Sequence, residues 1–223
     1  MKNLIIIGDG KIAELAKDYF LKDSKYKPII FAVDEKYRTR SNIDDFNVIS
    51  IKEMEEKYNK DEYYIFIAIS STKLNVIREY YFNYFDKKGY KFASYISSNA
   101  FVWHDVKLGK NLFILENNVI QKGCIIEDNV TLWSGNHIGH ETKIKKNVFI
   151  TSHVCISGFC IVGKNSYIGV NSTLINNILI EDFCFVNAGC LIKKNCKKYS
   201  IINTDNSKIS KVNTKKYFKL NEI

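Results

Sequence analysis

The 223-residue chain has one proline, Pro28, two tryptophans, two methionines, four histidines and only 11 glycines. With so little proline and glycine there is no flexible linker, and successive parts of the chain are expected to stack closely. No apolar run approaches the roughly 20 residues that span a bilayer, so membrane insertion is not expected. The opening MKNLIIIGDGK has an apolar stretch too short, and too soon followed by Gly-Asp-Gly, for a signal peptide, which makes a cytoplasmic location the expectation. No C-x-x-C pair occurs among the six cysteines, which removes the usual signature of a structural zinc site. The formal charge of +9 is spread over scattered lysines rather than gathered into a basic block with interleaved aromatics, so nucleic acid is not the expected partner. A polyphosphate ligand needs only a few of those lysines.

What the chain does have is a period of six. From Val106 to Asn195 it divides into fifteen hexads, VKLGKN, LFILEN, NVIQKG and onward to CLIKKN, and the third place is aliphatic in every one. Six matches neither the 3.6-residue helix nor simple strand alternation. It fits a β-helix, in which each hexad is a short strand plus a turn and three hexads close a triangular coil. Fifteen hexads make five coils. The place after the aliphatic residue often holds Gly or an acid (Gly109, Glu127, Gly139, Gly163, Gly169, Glu181), which predicts the tight corner there. Slim residues two places before the aliphatic one, among them Cys124, Thr142, Cys160, Ser166 and Ser172, suit a narrow shaft. Cys184, Cys190 and Cys196 share that phase and Cys155 alone does not, so neither metal ligation nor a disulfide is expected.

Ahead of the repeat lies a βαβ pattern. LIIIGD reads as a buried strand and GDGKIAELAKDYFLK as an amphipathic helix. Gly8, Gly10 and Ala13 satisfy G-x-G-x-x-A, with the helix N-terminus offering free N–H groups to a phosphate. A second strand, PIIFAVD, ends on Asp34, placed to meet a ribose. Only one more clear strand (63–70) and one long helix (73–87) follow before the strand KFASYIS, so the second half of a dinucleotide domain is missing. An NAD-binding or non-catalytic nucleotide-binding protein is the alternative from another class.

The core GNHIGHETKIKKNVFITSHVCISG, followed by GKNSYIGVNSTL, resembles the left-handed β-helix sugar acyltransferases of the sialic-acid O-acetyltransferase and nucleotide-aminosugar N-acetyltransferase family. The resemblance implies an α/β half-Rossmann N-terminal domain (1–97), then a left-handed parallel β-helix of hexapeptide repeats (98–197), then a C-terminal tail (198–223) that wraps back or onto a neighbour. It implies acetyl-CoA as co-substrate, a homotrimer, and N-acetylation of a nucleotide-linked amino-deoxysugar for bacterial surface glycan, lipopolysaccharide or capsule synthesis. Sugar O-acetylation is the runner-up. The nucleotide (UDP, dTDP or GDP) and the acylated carbon stay open.

By position, the resemblance makes His140 the general base and Glu141 the acid that raises its basicity and fixes its tautomer. It places acetyl-CoA against Phe149, Gly158, Val170, Asn187, Ala188 and Gly189. The Gly158 backbone N–H is the candidate oxyanion donor, and Lys193, Lys194, Lys197 and Lys198 either meet the coenzyme phosphates or form a solvated basic end. The nucleotide sugar falls to Gly8, Asp9, Gly10, Asp34, Ser70 and Ser71. Many relatives carry a second histidine nine residues after the base, where this chain has Phe149; His153 is either its replacement or a plain corner residue. His137 lines the same cleft or lies on the surface. Trp133, Phe149 and Phe159 are the expected contacts between copies.

Overall fold

The structure is a computed structural model that describes residues 1–204. It consists of an α/β domain packed on one face of a left-handed parallel β-helix. In the front domain, β1 (Lys2–Ile7), β2 (Tyr26–Val33), β4 (Phe46–Ser50), β5 (Tyr64–Ile67) and β6 (Lys91–Phe92) form a parallel sheet in the order 4-2-1-5-6. β3 (Asn42–Ile43) pairs antiparallel at the edge. The run LIII is buried on both sides because α1 (Lys11–Lys22) covers Leu4 and Ile6, whereas α2 (Ile51–Lys57) and α3 (Val76–Lys87) cover Ile5 and Ile7.

β4 and α2 are absent from the sequence reading, so the sheet is wider than expected. The polar Asn47 and Ser50 hide the strand, although Ser50 also announces the helix: its Oγ accepts the Glu53 N–H at 3.0 Å in an S-x-x-E cap. KFASYIS is not one strand. Ala93 N–H donates to Ile65 O in the front sheet, and two residues later Tyr95 N–H donates to Leu112 O in the first coil, each at 2.8 Å. The chain thus passes between domains through a single residue, Ser94.

Within the β-helix the two-residue strands pair with those 18 residues on, as in Phe113↔Thr131, His137↔Cys155 and Lys143↔Ile161, until the last coil, where Phe185 pairs with Ile201, 16 residues on. Three hexads therefore make one coil, and the coils run from Tyr95 to Ile202. The strands fall on three faces. The covered face, from Tyr95–Ile96 to Ile201–Ile202, carries the front domain. The uncharged face, from Phe101–Val102 to Leu191–Ile192, presents Phe101, Val119, His137, Cys155, Thr173 and Leu191 outward. The lysine face, from Lys107–Leu108 to Leu179–Ile180, presents Lys107 and Lys143 among aliphatics. Third-place residues from Ile114 to Ile192 line the shaft at 4% exposure or less; Leu108, in the first coil, is 41% exposed.

The tight turn is not at the fourth place. Every sixth-place residue from Asn111 to Gly189 is left-handed, with φ between 52° and 77°. Asn and Gly tolerate that conformation best and hold most of these places. The fourth-place glycines answer a different need, the closeness of the next coil. A Cβ on Gly139 would lie 2.6 Å from Gly158 N, and one on Gly169 2.5 Å from Ala188 N. Cys124, Cys160, Cys184 and Cys190 fill the shaft, where burial pushes their thiols up and leaves them inert; Cys155 is exposed. Of the tail expected over 198–223, Ile201–Ile202 add a further strand beside Phe185–Val186, and residues 205–223 lie outside the described residues.

A buried asparagine ladder ties the domains together. Ile67 N–H donates to Asn111, Asn111 to Asn129, Asn129 to Asn147 and Asn147 to Asn165, with spacings of 2.7 to 3.1 Å. Asn165 ends the series on Glu79 of α3 at 2.9 Å. Beside it Arg78, 2% exposed, donates to Thr131, Asn75 and the Asn147 carbonyl and lies over the Phe149 ring. Burial pushes its guanidinium down to about 9, still protonated near neutrality.

Candidate active site

The chemistry-bearing residues occupy two separate places. In the front domain, the C-terminal ends of β1, β2 and β5 enclose a cavity of about 470 Å³ lined by Gly8, Asp9, Gly10, Lys11, Asp34 and Ser70, with Ile51, Ile69, Ile77 and Tyr81 as an apolar wall. Polar groups at one end of an apolar pocket at strand C-termini suit a nucleotide.

Its two glycines differ in kind. Gly8 has φ +121° and a Cβ there would lie 2.8 Å from the Ala68 carbonyl oxygen, so folding alone requires glycine. Gly10, at the N-terminus of α1, has φ −82° and nothing within 4 Å of a Cβ. No contact inside the chain explains it.

Asp34 accepts from Tyr81 Oη at 3.1 Å and pairs with Lys36 at 3.2 Å. Burial pushes its carboxyl up, but the bonds from Lys36 and Tyr81 outweigh that and hold it below its ordinary range. Asp9 lines the cavity, yet its Oδ2 is already taken by the N–H and hydroxyl of Thr39, both at 2.9 Å. It braces the loop over 38–40, which Arg40 also fastens to Glu14 at 2.6 Å. Ser71 does not line the cavity: its carbonyl accepts Asn75 N–H at 3.2 Å, starting the turn into α3, and Thr72 lines the wall in its place.

His140 lies elsewhere, at the corner where the uncharged face meets the lysine face, across the prism from the front domain. Its exposed ring rests on Gly158 of the next coil, where a Cβ would stand 2.7 Å from Nε2, and meets Phe159 edge-on at 4.8 Å. Its own N–H is capped by Gln121 Oε1 at 2.9 Å. Lys146 N–H is capped by Glu127 in the same way, by a fourth-place side chain 19 residues earlier. Nineteen residues before Gly158 is Gly139, which has no side chain to offer. Among the described residues the Gly158 N–H has no acceptor, and it stands beside the His140 ring.

Glu141 departs from expectation. Its carboxylate lies over Gly123, one coil back, whereas the His140 ring lies over Gly158, one coil on. The two side chains diverge along the axis because the left-handed turn at Glu141, φ 57°, separates them. No hydrogen bond joins them among the described residues.

The residues expected along the coenzyme divide in the same manner. Gly158 belongs to the His140 corner, whereas Val170 and Asn187, Ala188 and Gly189 line the corner between covered and uncharged faces. One chain does not bring them together. Phe149 belongs to neither: it is 5% exposed, stacked on Tyr167 at 5.7 Å and lodged under Arg78 at the domain interface. Trp133 likewise packs against the front-domain core, so of the three aromatics expected between copies only Phe159, 52% exposed, remains outside. Lys193, Lys194, Lys197 and Lys198 are exposed in the last coil, and His137 points outward from the uncharged face, half-buried. Among the described residues no group of three His, Cys, Asp or Glu could hold a metal, and no helix is long and apolar enough to cross a membrane.

A nucleotide-type α/β domain set on a left-handed β-helix, with a histidine at an open corner, defines the class by fold. Within it, residues 3–85 match the family described as the PglD N-terminal domain. The acetyltransferase domain of PglB from Neisseria gonorrhoeae FA1090 superposes with a TM-score of 0.78 at 19% identity, over 90% of this chain and 96% of that one. PerB from Caulobacter crescentus, in complex with CoA and GDP-perosamine, gives 0.79 at 16% identity, over 90% and 93%. WeeI from Acinetobacter baumannii AYE gives 0.67 at 16% identity, over 90% and 96%. No curated protein sequence matches the chain significantly.

Proposed function

We propose that the protein is an acetyl-CoA-dependent N-acetyltransferase acting on the amino group of a nucleotide-linked amino-deoxysugar, cytoplasmic and serving surface-glycan synthesis. The observation that carries this reading is the pairing of an exposed imidazole, His140, with an uncapped backbone N–H, Gly158, on one corner. Acyl transfer needs that pair. The acceptor nitrogen attacks the thioester carbonyl carbon while His140 takes the nitrogen's proton. Gly158 N–H donates to the oxygen that becomes negative as the tetrahedral intermediate forms. The C–S bond then breaks and the imidazolium returns its proton to the departing thiolate. Glu141, remote from the ring, acts on this step only through the local field. The front cavity supplies the nucleotide site, with Gly10 leaving room for the diphosphate and Asp34 facing the nucleoside. The coenzyme and the nucleotide sugar bound to PerB favour the same pair of ligands here.

A homotrimer follows from the same reading. In one chain the cavity and His140 are on opposite sides of the prism. Of the two uncovered faces, one carries lysines outward and the other has no Lys, Arg, Asp or Glu at its outward strand positions. Interface cores are depleted in charge, so the uncharged face turns toward the axis. Its two edges then meet around that axis, the His140 corner of one copy beside the covered–uncharged corner of the next. Gly158 thereby faces Val170 and Asn187 to Gly189 across one groove. The test is a screen of UDP-, dTDP- and GDP-linked aminosugars with acetyl-CoA, reading released thiol and the acetylated product. An alkali-stable amide is expected; a labile ester would convert the reading to O-acetylation, and no thiol release with any acceptor would overturn it.

A further inference from the structure

Most left-handed sixth places carry Asn or Gly, and the exceptions from Asn111 to Gly189 are Glu141, His153, Phe159 and Phe183. A bulky side chain in this conformation is strained and points to function when something else in the structure accommodates it. His153, φ 57°, is accommodated in the same way as the base. Its ring lies over Gly135 of the coil before, where a Cβ would stand 2.6 Å from Nδ1. The third sixth-place glycine, Gly189, has nothing within 4 Å. In a chain with so few glycines, Gly158 makes room for His140, Gly135 for His153 and Gly123 for Glu141.

His153 stands at the covered–uncharged corner, and the whole width of the uncharged face separates it from His140 of its own chain. Its backbone N–H donates to Ser134 O at 3.0 Å, and the Glu116 carboxylate accepts from Ser134 Oγ and from Tyr19 Oη, both at 2.8 Å. Tyr19 lies on α1, the helix whose N-terminus lines the nucleotide cavity, nine residues or roughly 13 Å further along it. Through Ser134 and Glu116, the His153 corner is thus tied to the helix that borders the cavity.

We propose that His153 contacts the sugar of the acceptor and serves His140 of the neighbouring copy, so that each active site takes its base from one chain and its acceptor contact from another. The inference rests on the proposed acetyl transfer and names the residue that presents the sugar. His153→Asn puts at this corner the residue that other corners already hold, so the fold is retained, which sedimentation and thermal melting check directly. Its acceptor KM should rise about ten-fold or more, roughly 1.4 kcal/mol, with the acetyl-CoA KM unchanged. Mixed oligomers of His140→Ala and His153→Asn chains, formed by co-expression with two tags and assayed at sub-saturating acceptor, should regain about a quarter of wild-type activity, because one random interface in four joins two intact corners. Activity no greater than the mean of the two variants, or an unchanged acceptor KM in His153→Asn, overturns the inference while leaving acetyl transfer standing. An inactive wild type removes both.

Discussion

At the scale of single residues, the glycines separate what folding needs from what a ligand needs. Gly8→Val forces a β-branched residue into φ +121° and against Ala68, so it should cost about 1–3 kcal/mol of backbone strain and lower the melting temperature. Gly10→Val meets no atom of the chain and should melt normally, yet raise the KM for the nucleotide sugar far more than that for acetyl-CoA. Equal effects on both substrates would return Gly10 to a structural role. His140→Ala removes an exposed ring, so the fold should persist while turnover falls about 10²- to 10⁴-fold, the range for losing a general base. Glu141→Ala should lose much less, because the carboxylate lies over Gly123 and not against the imidazole. Steady-state kinetics on the two variants decides that order. The sequence places His140 and Glu141 side by side and so suggests a pair; the left-handed turn between them sends the side chains apart.

At the scale of elements, the asparagine ladder shows how corners serve both the coil and the domain interface. Asn129 accepts from Asn111 and donates to Asn147, all of them buried. Asn129→Gly keeps the left-handed turn but strands two buried amide groups, which should cost about 1–3 kcal/mol for each one left unpaired. Urea unfolding measures it, and a loss below about 0.5 kcal/mol would show that the ladder contributes little. The ladder was present in the sequence as the final Asn of every third hexad, VKLGKN, CIIEDN, TKIKKN and CIVGKN. The fourth-place glycines point to a turn two residues before the one the chain makes. β4 and α2 escaped for a different reason: FNVIS is short and half polar, and its strand character comes from pairing with β2.

At the scale of the whole molecule, the uncharged face is the exposed surface best suited to a second copy. Sedimentation should give about three times the chain mass. Cys155→Arg, in the middle of that face, should shift the protein toward monomer and abolish turnover together, since an unpaired charge in an interface core is costly. An active monomer would rule out a shared site.

The six-residue period determined the β-helix by itself, because an aliphatic residue at the third place of every hexad leaves one way to bury them all. The sequence also carried the βα opening of the front domain, since the spacing of Gly8, Gly10 and Ala13 after an apolar run is a local property. The sequence could not decide which of its candidate residues meet. Phe149 is buried at the domain interface because α3 places Arg78 over it, a contact between positions 71 residues apart. His140 and the front-domain cavity stand on opposite sides of one chain because the front domain packs on the face across from that corner. Only the tertiary structure fixes the packed face, and with it which corners stay open.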